Sequence, residues 1–307
     1  MDLTLQLWKS APIVFGMAAL CGCGAGSQVN EDLNLSFSAP DRLLYVVPSE
    51  SSTVFRELNL GSGEKKTLFT KDACVLSAYV YGQSQFLCTM RTDTPRGHPT
   101  IQLFVISVPS GSTTPLLPPD ESIRSDVVMI QGSPAYVKSA TWKGALAGKP
   151  WGLPQYLCRF HADREETIAT LQTVTSMYGA SCYGNVLPIL TYASFGTQQL
   201  SVMSAEGRAT RTIGEYSNPF SPTISPDDSS IALRTDKISA RNPVGGLLVV
   251  NLKSGIATGE YPLAERIVQV AFGPDGSLYC VEGEAGEGKA TLMKLVNGRF
   301  ERVATLD

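Results

Sequence analysis

Apolar residues fall in short runs broken by Pro, Gly, Asp and Ser, and between Leu33 and Asp307 the runs recur six times as one phrase. Each phrase is an apolar strand, a tight turn, a second strand, a variable loop, a third strand closed by a small-residue turn, and a fourth strand. The third strand is the clearest: Leu58-Asn59-Leu60, Phe104-Val105-Ile106, Tyr156-Leu157-Cys158, Leu200-Ser201-Val202, Leu248-Val249-Val250 and Leu292-Met293-Lys294 each run into a turn. Those turns close at Gly63, Gly111, Asp163, Gly207, Gly255 and Gly298, a spacing between the low forties and the low fifties. One four-stranded unit of that length cannot bury both of its faces alone, so neighbours must stack around an axis. The pattern predicts an all-β chain, a six-bladed β-propeller of four-stranded antiparallel blades.

The turn between first and second strands repeats as well. Ala39-Pro40-Asp41, Ser225-Pro226-Asp227-Asp228 and Gly273-Pro274-Asp275-Gly276 combine Pro, which presets φ, with Asp, which bonds its own backbone two residues on, and with a residue that accepts φ > 0. Units 2 and 4 use Tyr81-Gly82-Gln83 and Tyr183-Gly184-Asn185, and unit 3 uses Gln131-Gly132-Ser133-Pro134. The run from Ile224 to Leu233 and its echo from Phe272 to Val281 resemble the "SPDG then strand" motif of TolB-like (WD40-like) six-bladed propellers. The likeness covers blade grammar only. TolB-like proteins also carry an N-terminal α/β domain for which this chain has no room, so their partner binding is not implied.

Residues 1–22 read as a signal peptide of lipoprotein type, because Lys9 precedes an apolar run from Ala11 to Leu20 that is too short to span a bilayer. Leu20-Cys21-Gly22-Cys23 resembles the bacterial lipobox, which makes Cys23 the expected site of lipid attachment. Ordinary cleaved secretion and an uncleaved anchor are the other readings of this leader. Acyl burial at ~0.8 kcal/mol per CH₂ gives stable anchoring when several chains are attached, as palmitate-type modification would provide. Residues 23–32 are small and polar and read as a flexible tether, which leaves 33–307 for the propeller. The expected address is the bacterial cell envelope, with the periplasm or the exterior as the alternative.

A net charge of −3 offers no global basic field, so nucleic acid is not an expected partner. The domain is long enough to bury its own core and is expected to be a monomer. Beyond Cys23 the cysteines are Cys74, Cys88, Cys158, Cys182 and Cys280, an odd number that leaves at least one thiol unpaired. Buried thiols are the favoured reading, with Cys74–Cys88 or Cys158–Cys182 as the bridges to test. Two histidines, His98 and His161, and no H-E-x-x-H motif argue against a hydrolytic zinc site, and no metal or other cofactor is expected. Gly283 to Ala290 nearly spells a phosphate loop, but Ala290 lacks the Mg²⁺-binding hydroxyl and a strand follows where a helix is required.

Long insertions mark a candidate surface. In a propeller the loops joining second to third strands share one face with the blade-to-blade connections, so insertions there build a surface on a rigid ring. Units 2, 3 and 5 place Arg91, Arg96, Lys138, Lys143, Lys149, Arg234, Lys237 and Arg241 in such loops, against Asp93 and Asp236. Trp142 and Trp151 lie in the unit 3 loop, and Tyr192 begins the unit 4 loop. The candidate ligand- or partner-binding residues are therefore Trp142, Trp151, Arg91, Arg96, Lys143, Arg241 and Tyr192, aromatics and cations suited to sugar stacking and to carboxylate or phosphate pairing. The plain alternative is that both tryptophans pin the loop while the bases are solvated. Two function classes follow. One is a non-enzymatic envelope lipoprotein binding a protein partner or an anionic glycan. The other is a propeller enzyme of lyase or lactonase type with calcium and acids along the axis; the first strands, read as 33–37, 74–80, 127–130, 177–183, 220–224 and 267–272, contain no Asp, Glu or His to support it.

Overall fold

In the computed structural model the described residues run from 35 to 306, except 49–51, 74, 82–83, 94–98, 109, 119–121, 131, 140–154, 162, 172–174, 177–183, 195, 208–209, 237–244, 263–265 and 284–289. They form twenty-four strands and no helix. Blade 1 comprises β1 (Leu35–Ala39), β2 (Arg42–Pro48), β3 (Thr53–Asn59) and β4 (Lys65–Lys71). Blade 2 comprises β5 (Val75–Val80), β6 (Gln85–Asp93), β7 (Pro99–Ser107) and β8 (Thr113–Pro115). Blade 3 holds β9 (Ile123–Ile130), β10 (Ser133–Ser139), β11 (Gln155–His161) and β12 (Arg164–Leu171), and blade 4 holds β13 (Thr175–Ser176), β14 (Val186–Ser194), β15 (Thr197–Ser204) and β16 (Thr210–Ser217). Blade 5 holds β17 (Phe220–Ile224), β18 (Ser230–Thr235), β19 (Gly246–Asn251) and β20 (Ala257–Pro262), and blade 6 ends the ring with β21 (Arg266–Phe272), β22 (Leu278–Gly283), β23 (Ala290–Val296) and β24 (Arg299–Leu306). Every sheet is a four-stranded meander of consecutive strands, so the expected six-bladed propeller is what the chain forms.

The core lies between the blades. One apolar cluster joins blades 1 and 2, another blades 2 and 3, a third runs through blades 3, 4 and 5, a fourth joins blades 5 and 6, and a fifth joins blade 6 back to blade 1. Among the described residues, no strand crosses from one end of the chain into the other's sheet. Closure therefore rests on packing: Phe37 meets Tyr279 with ring centroids 5.2 Å apart, and the Gln269 side chain accepts the Leu35 N–H at 3.0 Å. Similar bonds tie other first strands together. Ser36 Oγ accepts from Val80 N at 3.0 Å, and Ser221 Oγ accepts from Val270 N at 3.1 Å. First strands thus line the axis, and the largely exposed β4, β16 and β20 form the rim.

All six residues at which the sequence closes its third strands adopt positive φ: Gly63, Gly111, Gly207, Gly255 and Gly298 lie between 65° and 79°, and Asp163 lies at 60°. Glycine enters that region without the steric cost an L side chain meets, and Asp is among the few others that tolerate it. The outer strand carries a second repeat that the sequence reading did not contain. In five blades the third–fourth ladder slips by one residue, leaving Leu68, Ile168, Ile213, Thr258 and Val303 as extra residues of a β-bulge. Ile168 and Ile213 turn inward onto the large central cluster. Fourth strands β16 and β20 also share a Gly-Glu-Tyr triplet, in which Tyr216 and Tyr261 cover the bare Cα of Gly214 and Gly259, the arrangement by which an aromatic ring shields an edge glycine.

One first-strand reading needs correction, and a second lies outside the described residues. Unit 3's first strand begins at Ile123 rather than 127, so it contains Arg124 and Asp126, and the expectation that no acid lies in these strands fails there. The periodicity hid this because the strand bulges: Ala135 pairs with Val128 but Val137 pairs with Ser125, which breaks the alternation. In unit 4 the described first strand is Thr175–Ser176, and the 177–183 reading falls outside the described residues. Cys88, Cys158 and Cys280 are buried free thiols, so neither tested bridge forms. Burial pushes the thiols of Cys88 and Cys280 far above the ordinary range, which makes them packing residues.

Candidate functional site

A four-strand meander puts the second-to-third loop and the link to the next blade at the same end. Side chains at that end are fastened to the links. Thr53 Oγ1 donates to Ala73 O at 2.9 Å and accepts from Val75 N at 3.0 Å. Thr100 Oγ1 donates to Ser122 O, and Thr235 Oγ1 to Ser217 O, each at 2.6 Å. The long loops of blades 2 and 5 therefore spring from strand ends held by the ring itself.

Between blades 2 and 3 this connector face carries a polar cluster that the sequence reading missed. Arg124, only 3% exposed, donates through Nη1 to Gln102 Oε1 at 2.6 Å and through Nε to Glu165 Oε2 at 3.1 Å. Tyr136 donates to the same Glu165 oxygen at 2.6 Å, and Lys138 pairs with the other. Gln102 completes the cluster by donating to Ser122 O at 2.8 Å and to Thr100 Oγ1 at 3.0 Å. Burial raises the Glu165 carboxyl, yet hydrogen bonds from Lys138, Tyr136 and Arg124 outweigh it and hold the group below its ordinary 4.5. Burial, followed by the hydrogen bond to Glu165, drives the Tyr136 phenol upward. Burial and then the charge of Glu165 raise the Cys158 thiol. Arg124 and Lys138 thus converge on Glu165 at the end of the blade where β9 begins and β10 ends.

The predicted residues divide by position. Arg91 and Tyr192, expected in loops, lie instead in β6 and β14 near their loop ends, because the ladders to β7 and β15 continue past them. Arg96, Trp142, Lys143, Trp151, Arg241 and Cys23 fall outside the described residues. Of the eight bases, the two whose side chains are described both have partners within the fold: Lys138 pairs with Glu165, while Arg234 lies 3.6 Å from Asp236 and 5.6 Å from the Phe220 ring centroid. Arg124 left a weak sequence signal, a lone arginine ahead of an apolar run, and its partner lies 41 residues away, beyond any local pattern. Among the described residues, no group of three or more His, Cys, Asp or Glu side chains is placed to hold a metal ion.

Comparison with known proteins places the architecture and nothing finer. TolB from Acinetobacter baumannii superposes with a TM-score of 0.59 at 13% identity, covering 86% of this chain and 65% of TolB. This chain thus spans about two thirds of that protein's length. An oligogalacturonate lyase in complex with manganese gives 0.55 at 10% identity over 86% of this chain and 74% of that one. The β-propeller domain of the Trilobed protease from Pyrococcus furiosus, described as having an open velcro topology, gives 0.55 at 11% identity over 89% of this chain and 83% of that one. No protein-family model and no curated protein sequence matches the chain. The chain shares the TolB-like propeller fold.

Proposed function

We propose that this propeller is a non-enzymatic binding or scaffolding module of the bacterial cell envelope, anchored by acylated Cys23, whose connector face receives a protein partner or an anionic glycan. The observation that carries the reading is the seam between blades 2 and 3, where Arg124 and Lys138 both bond Glu165 and where Lys138 stands one residue before the end of β10, after which the sequence runs on to Trp142, Lys143 and Trp151. Cations held in the fold and followed in sequence by aromatic and basic residues suit carboxylate- or phosphate-bearing ligands that also offer a stacking face. Arg91, Arg96, Arg241 and Tyr192 extend the same composition around the ring.

The test has two arms. Trp142→Ala combined with Arg241→Ala is expected to reduce capture of envelope partners crosslinked in intact cells, with the melting temperature unchanged; undiminished capture counts against the docking face. Cys23→Ser is expected to move the protein from the membrane pellet to the soluble fraction, and continued sedimentation rejects the anchor.

A further inference from the structure

The face opposite the connectors carries the first-to-second-strand turns, and between blades 5 and 6 these turns flank a cleft of about 540 Å³, inside the ~300–1,000 Å³ range of ligand pockets. Its floor is apolar. Phe272 and Leu278 are buried there, and Tyr261 and Leu295 lie half-exposed over the same core cluster. Its rim is acidic, with exposed Asp227 and Asp275 contributed by equivalent turns of the two blades.

Turn chemistry fixes both carboxylates. Asp227 Oδ1 accepts from Ser225 Oγ at 2.6 Å, Ser229 Oγ at 2.8 Å and Ser229 N at 3.1 Å. Asp275 accepts from Ser277 N at 3.0 Å and Ser277 Oγ at 2.8 Å. Among the described residues neither forms an ion pair. Lys294 acts on Asp275 at a distance but is placed over the Tyr279 ring, 5.4 Å from its centroid.

An apolar floor beneath an anionic rim fits a long aliphatic chain that ends in a cation, which is how arginine and lysine side chains are built. Tyr261 adds an aromatic surface for the cationic head. One such side chain fills only part of the cleft, so neighbouring residues of the same segment must occupy the rest. Ile256 points to a polypeptide for that reason: it is 66% exposed, the exposed large hydrophobic side chain among the described residues. It belongs to the β19–β20 hairpin whose Thr258 and Tyr261 line the cleft. We propose that this cleft is a second docking site, on the face away from the connectors, which takes an arginine or lysine side chain from an exposed, apolar-flanked segment of a protein partner. The site is independent of the connector-face reading, and either can fail without the other.

Fluorescence anisotropy of the full chain with labelled acetyl-Gly-Leu-Arg-Leu-Gly-amide tests it, against the same peptide with glutamate in place of arginine and against spermidine as competitor. The arginine peptide is expected to bind and the glutamate peptide not. Asp227→Asn combined with Asp275→Asn, which keeps a carbonyl acceptor for each turn, should weaken binding at least about tenfold, or ~1.4 kcal/mol. Should that variant fold poorly, Thr258→Lys at an exposed position places a competing cation in the cleft and should weaken binding as much. No binding of the arginine peptide, equal binding by wild type and variants, or spermidine competing as tightly as the peptide overturns the proposal.

Discussion

Gly207 and Gly63 occupy the same turn in blades 4 and 1, yet alanine should affect them very differently. Both have φ near +70°, so alanine at either position meets the left-handed cost of about 1–2 kcal/mol. At Gly63 a Cβ would touch nothing within 4 Å, and that cost is the whole effect. At Gly207 the new Cβ would fall 2.3 Å from Ile168 Cγ2 and 2.8 Å from Ile168 O, against the bulge of the preceding blade. Either the turn or the bulge must move, which adds about 1–3 kcal/mol of overpacking. Urea unfolding followed by far-UV circular dichroism should therefore give about 1–2 kcal/mol for Gly63→Ala and about 2–5 kcal/mol for Gly207→Ala. Ile168→Ala removes the methyl but not the backbone oxygen, so it should rescue Gly207→Ala in part, with a coupling of about 0.5–3 kcal/mol. Equal losses at the two glycines, or no coupling to Ile168, would refute the blade-to-blade contact.

The remaining predictions concern the seams and the buried thiols. Because the folded pKa of Glu165 is depressed, the unfolded chain binds more protons between the two pKa values, and the stabilisation is present above ~4.5 and lost as pH falls through the folded pKa. Glu165→Gln should flatten that acid limb and lower stability at pH 7 by about 1–2 kcal/mol, discounted for partial exposure; an unchanged acid limb in pH-dependent denaturation contradicts this. Arg124→Ala should cost about 1–3 kcal/mol by removing one donor from Glu165 and one from Gln102 while their other bonds remain, measured by the same unfolding curves. Ser221→Ala should cost about 1–3 kcal/mol because Val270 N–H loses its partner inside the ring; a loss below half a unit refutes that bond's role. Native alkylation at pH 8 should spare Cys88, Cys158 and Cys280, read by mass spectrometry, and rapid native labelling contradicts their burial.

Local chemistry made much of the fold legible. Gly63, Gly111, Asp163, Gly207, Gly255 and Gly298 announce six turns because positive φ restricts residue choice at each position by itself. Asp227 and Asp275 announce two more because each bonds a serine two residues on. What escaped depends on pairing across the ring. The bulge in β9 disrupted the alternation that would have drawn Arg124 into the strand, and nothing near Arg124 in sequence names Glu165 as its partner. Bulges at Leu68, Ile168, Ile213, Thr258 and Val303 are invisible for the same reason, since they show only once the fourth strand is laid against the third. The polar cluster likewise draws on two blades, with Gln102 in one and Arg124 and Glu165 in the next. Of the candidate binding residues, Arg91 and Tyr192 were read as loop residues but lie in β6 and β14, because the second-to-third-strand ladders run on past them, and the cleft between blades 5 and 6 arises only from stacking two turns that were each read separately.

The account stands on a ring closed by packing blade 6 against blade 1. Nuclear Overhauser spectroscopy on protein with only phenylalanine and tyrosine rings protonated tests this directly. Strong cross-peaks are predicted between Phe37 and Tyr279, whose centroids lie 5.2 Å apart. Their absence, with the Phe55–Phe86 contact at 5.1 Å between blades 1 and 2 still visible, would contradict closure.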